Sequence, residues 1–327
     1  MLDMAVEGPK LLMLLYGVIG FFAIVGLLLL ALDKVSGRRD RWVALGFLTP
    51  ALLLVTIGLV IPAIRTFIFS FMDADSSDFV GLDNYAWIFT QPETRKVLGN
   101  TALWVVLVPT VATTVGLVYA VVVDRAKFEG LAKSLIFMPM AISFVGAGII
   151  WKFVYAYRDP EVADKQIGLL SQVVVWLGMK PANWLLEPPW NTLFLIVVLV
   201  WIQAGFAMVI LSAAIKAIPA EITEAARIDG VTPWQMFWRV TVPSIRPALV
   251  VVVVTISIAS LKLFDIVRTM TGGRFDTNVL AHEMYVQAFD SYDDGRGSAL
   301  AVFLFLLVTP IVFYQVRQFR KRRQEAM

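Results

Sequence analysis

The residues of this chain best placed to do chemistry are polar side chains set inside long apolar stretches. Gln203 lies in one such stretch, flanked by Trp201 and Phe206. Ser257 and Ser260 lie in another, with Lys262 and Asp265 nearer its end, and Lys152 sits near the end of a third. Polar groups at membrane depth are costly unless they face a cavity or a partner helix. Each of these therefore has two readings: a hydrogen bond between helices, or contact with a polar solute on its way through. Lys262 and Asp265, three apart, are also spaced to pair with each other. Other chemistry finds less support. The chain has no cysteine, which excludes disulfides and thiolate metal sites, and a single histidine, His282, cannot form a histidine cluster. His282 is expected at the surface of a loop with no catalytic partner, which speaks against an intramembrane enzyme. A Gly-x-x-x-x-Gly-Lys-Ser/Thr run to cradle nucleotide phosphates is absent from the sequence. No catalytic residue, metal or cofactor is expected on this chain.

The elements that carry these side chains are membrane helices. The sequence is 59% hydrophobic and only 16% charged, with a mean hydropathy of +0.77, so lipid is the solvent for most of it. Spanning a hydrocarbon core takes about 20 apolar residues in a helix. Seven stretches qualify: roughly 11 to 32, 43 to 71, 99 to 123, 134 to 155, 190 to 215, 246 to 266 and 298 to 316. The first is kept as a helix, because Asp3 and Glu7 precede it without a basic run and Leu30-Ala31-Leu32-Asp33 is no clean cleavage site. Residues 1–42 form an extra helix and its link, 43–320 the main membrane domain, and 321–327 a basic tail. Sorted by alternate loops, one side carries sixteen basic and eight acidic residues, the other twelve and seventeen. Basic residues gather on the cytoplasmic side. The N-terminus is thus expected outside and the tail, with Arg317, Arg320, Lys321, Arg322 and Arg323, inside. There the tail serves as a topology anchor rather than a nucleic-acid site.

The loop at 217–245 is punctuated as two short helices. Pro219 suits a helix start, Glu221 and Glu224 lie near its positive end, and Gly230 suits the left-handed residue that closes it. Thr232, Pro233 and Gln235 spell a second start with a capping box. Trp234, Phe237 and Trp238 then share one face, which is expected to pack on the ends of the membrane helices, and Pro243 is expected to end this second helix. Ala225 and Ala226 let another surface approach the first helix closely. An ordinary connector would satisfy the same signals.

The spacing Glu224-Ala225-Ala226, three residues, Gly230, nine residues, Val240, one residue, Val242-Pro243 resembles the EAA loop of bacterial ABC importer permeases. Val240 and Val242 depart from the Ile and Leu the family favours. Phe79-Val-Gly-Leu-Asp-Asn-Tyr85, Asn100-Thr101, Phe264-Asp265 and Thr271-Gly272-Gly273 are similar to the carbohydrate-uptake branch, of maltose and trehalose type. The resemblance covers roughly residues 43 to 320. It implies an all-α membrane fold, a six-helix ABC type I importer core plus one N-terminal helix, in a bacterial inner membrane. It further implies that Glu224, Ala225, Ala226 and Gly230 couple to a cytoplasmic ATPase. Helices five and six would line a sugar path, giving Gln203, Phe206, Ser257 and Ser260 that role; amides and hydroxyls suit sugar hydroxyls, and aromatic faces suit the apolar side of the ring. The implied partners are a second permease, two ATPase subunits that hold ATP and Mg, and an extracytoplasmic sugar-binding protein. The acidic outer loops 72–98, 156–189 and 267–297 offer that protein a dock, although their charge also serves topology. A secondary transporter is the rival reading, but neither a deep mid-span acid nor an internal repeat supports it.

Overall fold

The computed structural model describes residues 40–124, 127–162 and 165–325, together with scattered positions between 12 and 26. Half of the expected span at 11–32 lies outside these residues. Among the described residues the chain is helical, with one isolated β-bridge between Met72 and Phe79. It divides into two compact units, residues 1–68 and 69–327.

In the first unit, α1 (Asp40–Val55) runs through a π-helical turn, Thr56–Val60, into α2 (Ile61–Phe69). None of its apolar window, within Phe47–Phe69, is buried by protein. A helix apolar all round with no protein cover is what lipid contact requires.

The second unit is built around α8 (Trp190–Lys216), with 56% of its apolar window buried. Against it lie α4 (Pro92–Val123) and α10 (Pro233–Leu261), and α13 (Asp294–Glu325) closes the unit. Trp104, Val108 and Ala112 of α4 meet Leu195, Leu199, Ile202 and Met208 of α8, and Ile245, Val252 and Ile256 of α10. Association of helices in lipid rests on close packing, because lipid tails are as apolar as the side chains themselves. Gly116 shows how close: a Cβ there would stand 2.5 Å from the Ala207 Cβ and 2.8 Å from the Met208 nitrogen.

The fourth expected span is not a straight helix. It consists of α5 (Glu129–Phe137), a 3₁₀ turn at Met138–Ala141, and α6 (Phe144–Val154), with a bend of 103° between the two halves. Pro139 lies in the first turn of the 3₁₀ segment, Ile142 is extended, and the Ser143 hydroxyl accepts from the Gly146 N–H at 3.1 Å to start α6. The broken pair nevertheless crosses the fold. At one end Lys133 bonds Ser212, and just past the other the Tyr155 hydroxyl donates to the Phe194 carbonyl at 3.0 Å. Those two α8 positions lie roughly 27 Å apart along its axis. Among the described residues five continuous helices are long and apolar enough to cross a membrane, and six such spans result when the broken pair is taken as one.

Opposite the 217–245 loop, a second apolar cluster joins Ile88 of α3 (Asp83–Thr90), Val97, Leu280 of α12 (Leu280–Tyr285), Ala299 and Leu300. The Asn100 amide donates to the carbonyls of Asp276 (2.6 Å) and Asn278 (2.9 Å), and Thr101 Oγ1 accepts from the Leu280 N–H at 2.9 Å. Asn191 donates to the Phe275 carbonyl at 2.7 Å. Three buried or half-buried polar side chains thus pin the 275–280 segment on the helices beneath it.

Candidate functional site

The first loop helix, α9 (Ala220–Ile228), begins three residues after α8 ends. Pro219 is its extended cap, Glu221 lies in its first turn and Arg227 in its last. Gly230 has φ +76, the Val231 N–H donates to Ala226 O at 3.1 Å, and the Gly230 N–H to Arg227 O at 3.1 Å. This pair of bonds is a Schellman closure, which needs a left-handed residue at the glycine position. Glu224, Ala225 and Ile228 are exposed, Ile228 at 87%, while Ala226 is partly covered. Neither Glu224 nor Arg227 makes a side-chain hydrogen bond or ion pair with a described residue. The helix is held by its backbone and its two ends, and its outer face is open.

The second start is present but does not make a separate helix. The Thr232 N–H donates to Gln235 Oε1 at 3.0 Å, and Thr232 Oγ1 accepts from the Gln235 N–H at 3.4 Å, completing the capping box. The helix then passes through a π-helical turn, Met236–Thr241, and continues to Leu261. Pro243 therefore does not end it. Proline falls at the first turn after the π segment, where a locally widened backbone hydrogen-bond pattern tolerates its missing N–H. The aromatic face is only partly covered: Trp234 and Phe237 line a cavity of about 450 Å³ with Val118, Val122 and Ile215, and Trp238 is 51% exposed.

Within the spans, Gln203 is buried at 9% exposure, and its amide makes no hydrogen bond to a described residue. Ser260 is buried and its hydroxyl donates to the Ile256 carbonyl of its own helix at 2.9 Å. Half-buried Ser257 does the same to Val253 at 2.8 Å. Phe206 packs on the α8 core. The structure thus puts these four on two neighbouring helices without hydrogen-bonding them to one another. Lys262 and Asp265 do not pair. The helix stops at Leu261, and Asp265 opens a new one, α11 (Asp265–Met270), so the two no longer share a face. Lys152 is exposed in the last turn of α6.

His282 also departs from expectation, being 1% exposed rather than on the surface. Its Nδ1 lies 2.8 Å from Asn278 Oδ1 and its ring stacks on Phe264, with centroids 5.7 Å apart. Burial, reinforced by the nearby Arg268 charge and opposed by Asp290, pushes its pKa down to about 4. The imidazole is a neutral packing element of the 275–280 segment. Its apolar context depends on α11 and α12 folding together, which no sequence spacing reveals.

Sequence reasoning also missed a charged network where α4 ends and α5 begins. Lys133 Nζ stands 2.5 Å from Asp124 Oδ1 and 2.8 Å from Glu129 Oε1, and Ser212 Oγ donates to Asp124 Oδ1 at 2.7 Å. Lys216 pairs with Glu129. The Glu129-x-x-x-Lys133 spacing was a visible signal for part of it.

Comparison with known proteins agrees with this architecture. Residues 95–324 match the family described as binding-protein-dependent transport system inner membrane component. The chain belongs to that family and is a membrane-embedded transport permease subunit, which sets aside the secondary transporter. It is 49% identical over 278 residues to the osmoprotective compounds uptake permease protein GgtC of Synechocystis, covering 85% of this chain and 99% of that one. It is 48% identical over 272 residues to the alpha-glucoside transport system permease protein AglF of Rhizobium meliloti, covering 83% and 80%. The trehalose/maltose transport system permease protein MalF of Thermococcus litoralis is 30% identical over 300 residues, covering 88% and 98%. The fold is that of a membrane component in a bacterial ABC transporter that imports alginate, with a TM-score of 0.72 at 22% identity over 86% of this chain and 96% of that one.

Proposed function

We propose that this chain forms half of the translocation pore of an ATP-driven sugar importer and takes α-linked glucosides or related sugar-based solutes. The observation that carries the coupling is α9: a capped, exposed helix, small at Ala225 and Ala226, with open charges at Glu224 and Arg227. Such a surface suits a groove on a cytoplasmic ATPase, the partner that holds ATP and Mg. Glu224, Ala225, Ala226 and Gly230 are the coupling positions, and the loop faces the cytoplasm, as does the basic tail. The substrate class is supported by the relatives named for alpha-glucosides and for trehalose and maltose. A second permease completes the pore, two ATPase copies drive it, and an extracytoplasmic binding protein delivers the solute. A relative of the fold has been crystallised with a pentasaccharide-bound periplasmic protein, which supports that last partner.

Buried Gln203 has unused hydrogen-bonding capacity, Phe206 supplies an aromatic face, and the Ser257 and Ser260 oxygens keep free lone pairs. These features support a sugar path along α8 and α10. The test is to purify the assembled complex and measure which sugar, with the binding protein present, stimulates ATP hydrolysis. Stimulation by α-glucosides over unrelated solutes is expected, and stimulation by none of the sugars refutes the substrate class. Gln203→Ala and Ser260→Ala should alter substrate preference while leaving ATPase docking intact. Unchanged kinetics for every sugar removes both from the path.

A further inference from the structure

Lys133, Asp124, Glu129 and Lys216 balance two positive charges against two negative at the place where three elements meet. Asp124 follows α4, Glu129 and Lys133 open α5, and Lys216 is the last residue of α8. The pairs differ in depth: side-chain exposure is 13% for Asp124 and 22% for Lys133, but 51% for Lys216. Lys133 therefore forms the fixed centre of the network, bonded to Asp124, Glu129 and Ser212. Lys216 is the movable member. It pairs with Glu129 and also stands 4.0 Å from Asp124 Oδ1. Asp124 Oδ2 is buried and has no hydrogen-bond partner among the described residues, so this carboxylate can accept a further donor.

Lys216 is joined to α9 by Ala217, Ile218 and Pro219 alone. This short connector ties the position of Lys216 to that of α9. Beside Lys216, Asp124 and Ile215 line an open cavity of about 450 Å³ together with Trp234 and Phe237, so the end of α8 is not packed tightly on that side. From Glu129 the contact continues along α5. The Ile136 carbonyl lies so close to Gly205 that a Cβ there would come within 2.5 Å of it. Beyond the 103° bend, α6 packs on α11 through Gly148, where a Cβ would stand 3.1 Å from Thr269.

We propose that Lys216 is a two-position switch, paired with Glu129 in this conformation and moving to Asp124 when the loop helix is displaced, which passes the displacement to the broken fourth span. The exchange demands little energy, because Lys216 is half exposed and Lys133 keeps both carboxylates partly compensated in either position. It supplies a discrete two-state contact of the kind that mechanical coupling needs. The proposal rests on the coupling role of α9.

The test uses the full complex with its ATPase and binding protein, measuring basal hydrolysis, substrate-stimulated hydrolysis and ATPase co-purification. Glu129→Gln weakens the resting position and is expected to raise basal hydrolysis on the order of tenfold, with co-purification unchanged. Asp124→Asn weakens the second position and is expected to lower stimulated hydrolysis by a similar factor while basal hydrolysis stays put. A static brace would move both variants the same way, and that result overturns the switch, as does wild-type behaviour in either. If Asp124→Asn fails to accumulate in the membrane, Lys216→Met provides the second measurement. It should lose stimulation, and full stimulation there overturns the proposal. Should Gly230 variants alter co-purification while none of these variants departs from wild type, the switch fails and the coupling helix stands. If the Gly230 variants also behave as wild type, the coupling reading itself has failed.

Discussion

Substitution of Gly230 separates backbone cost from steric cost, because its φ is +76 and an added Cβ would meet nothing within 4 Å. Within this chain, the cost of a substitution is therefore that of holding an L-residue in the left-handed conformation. That costs roughly 1–2 kcal/mol for an ordinary side chain and less for asparagine, which visits this region more readily. A penalty of this size lowers the population of the closed Schellman end about 5- to 30-fold relative to alternatives. Uptake and ATPase co-purification in the reconstituted complex should therefore fall in the order Gly, Asn, Ala, Val, with insertion into the membrane unchanged. Gly178 supplies an internal control. It too has φ +76 and open space around it, but it follows α7 (Leu169–Trp176), away from the 217–245 loop. Gly178→Ala carries the same backbone cost and should leave co-purification at the wild-type level. Wild-type co-purification by Gly230→Ala, or better performance by Val than by Asn, refutes the reasoning.

Gly116→Ala places a Cβ 2.5 Å from that of Ala207 and should lower stability by about 1–3 kcal/mol through forced separation of α4 and α8, read by thermal unfolding in detergent. Gly99→Ala, on the same helix with nothing within 4 Å, should instead be neutral or stabilising by roughly 0.5–1 kcal/mol. For His282 the sign follows from a folded pKa pushed down to about 4 from an ordinary 6.5: the unfolded chain takes up the proton first. Stability is full above about pH 6.5 and falls as pH drops toward about 4, by roughly 3 kcal/mol in total. His282→Gln should flatten that decline in unfolding scans between these pH values, and an unchanged slope would place the titrating group elsewhere.

Much of the fold is legible in sequence because lipid imposes a one-dimensional rule: a helix that crosses must be apolar for about 20 residues. Six of the spans follow from that rule, among the described residues, including the approximate place of the fourth. Its 103° bend was not legible, since there the Ile136 carbonyl packs on Gly205 and Thr269 on Gly148, positions distant in sequence. The loop was equally local. Capping boxes and Schellman ends involve residues within six positions of one another, so Thr232, Gln235 and Gly230 could be read directly.

Pro243 misled because a π-helical turn compensates for it, and neighbouring contacts rather than the residue itself decide whether such a turn forms. His282 misled because its burial draws on Phe264, eighteen residues away, whose ring stacks on it, as well as on the nearby Asn278. Beyond the local Glu129–Lys133 pair, the Lys216 network was hidden because it is long-range: Ser212 and Asp124 are 88 residues apart and meet only when α8 packs on α4. The sequence by itself determined most of the membrane helices, the capped 217–245 loop and the kind of protein, since each rests on local spacing. Only the tertiary structure decided which helix is central, how the fourth span bends and which charges meet, because in lipid those choices turn on close packing between distant residues.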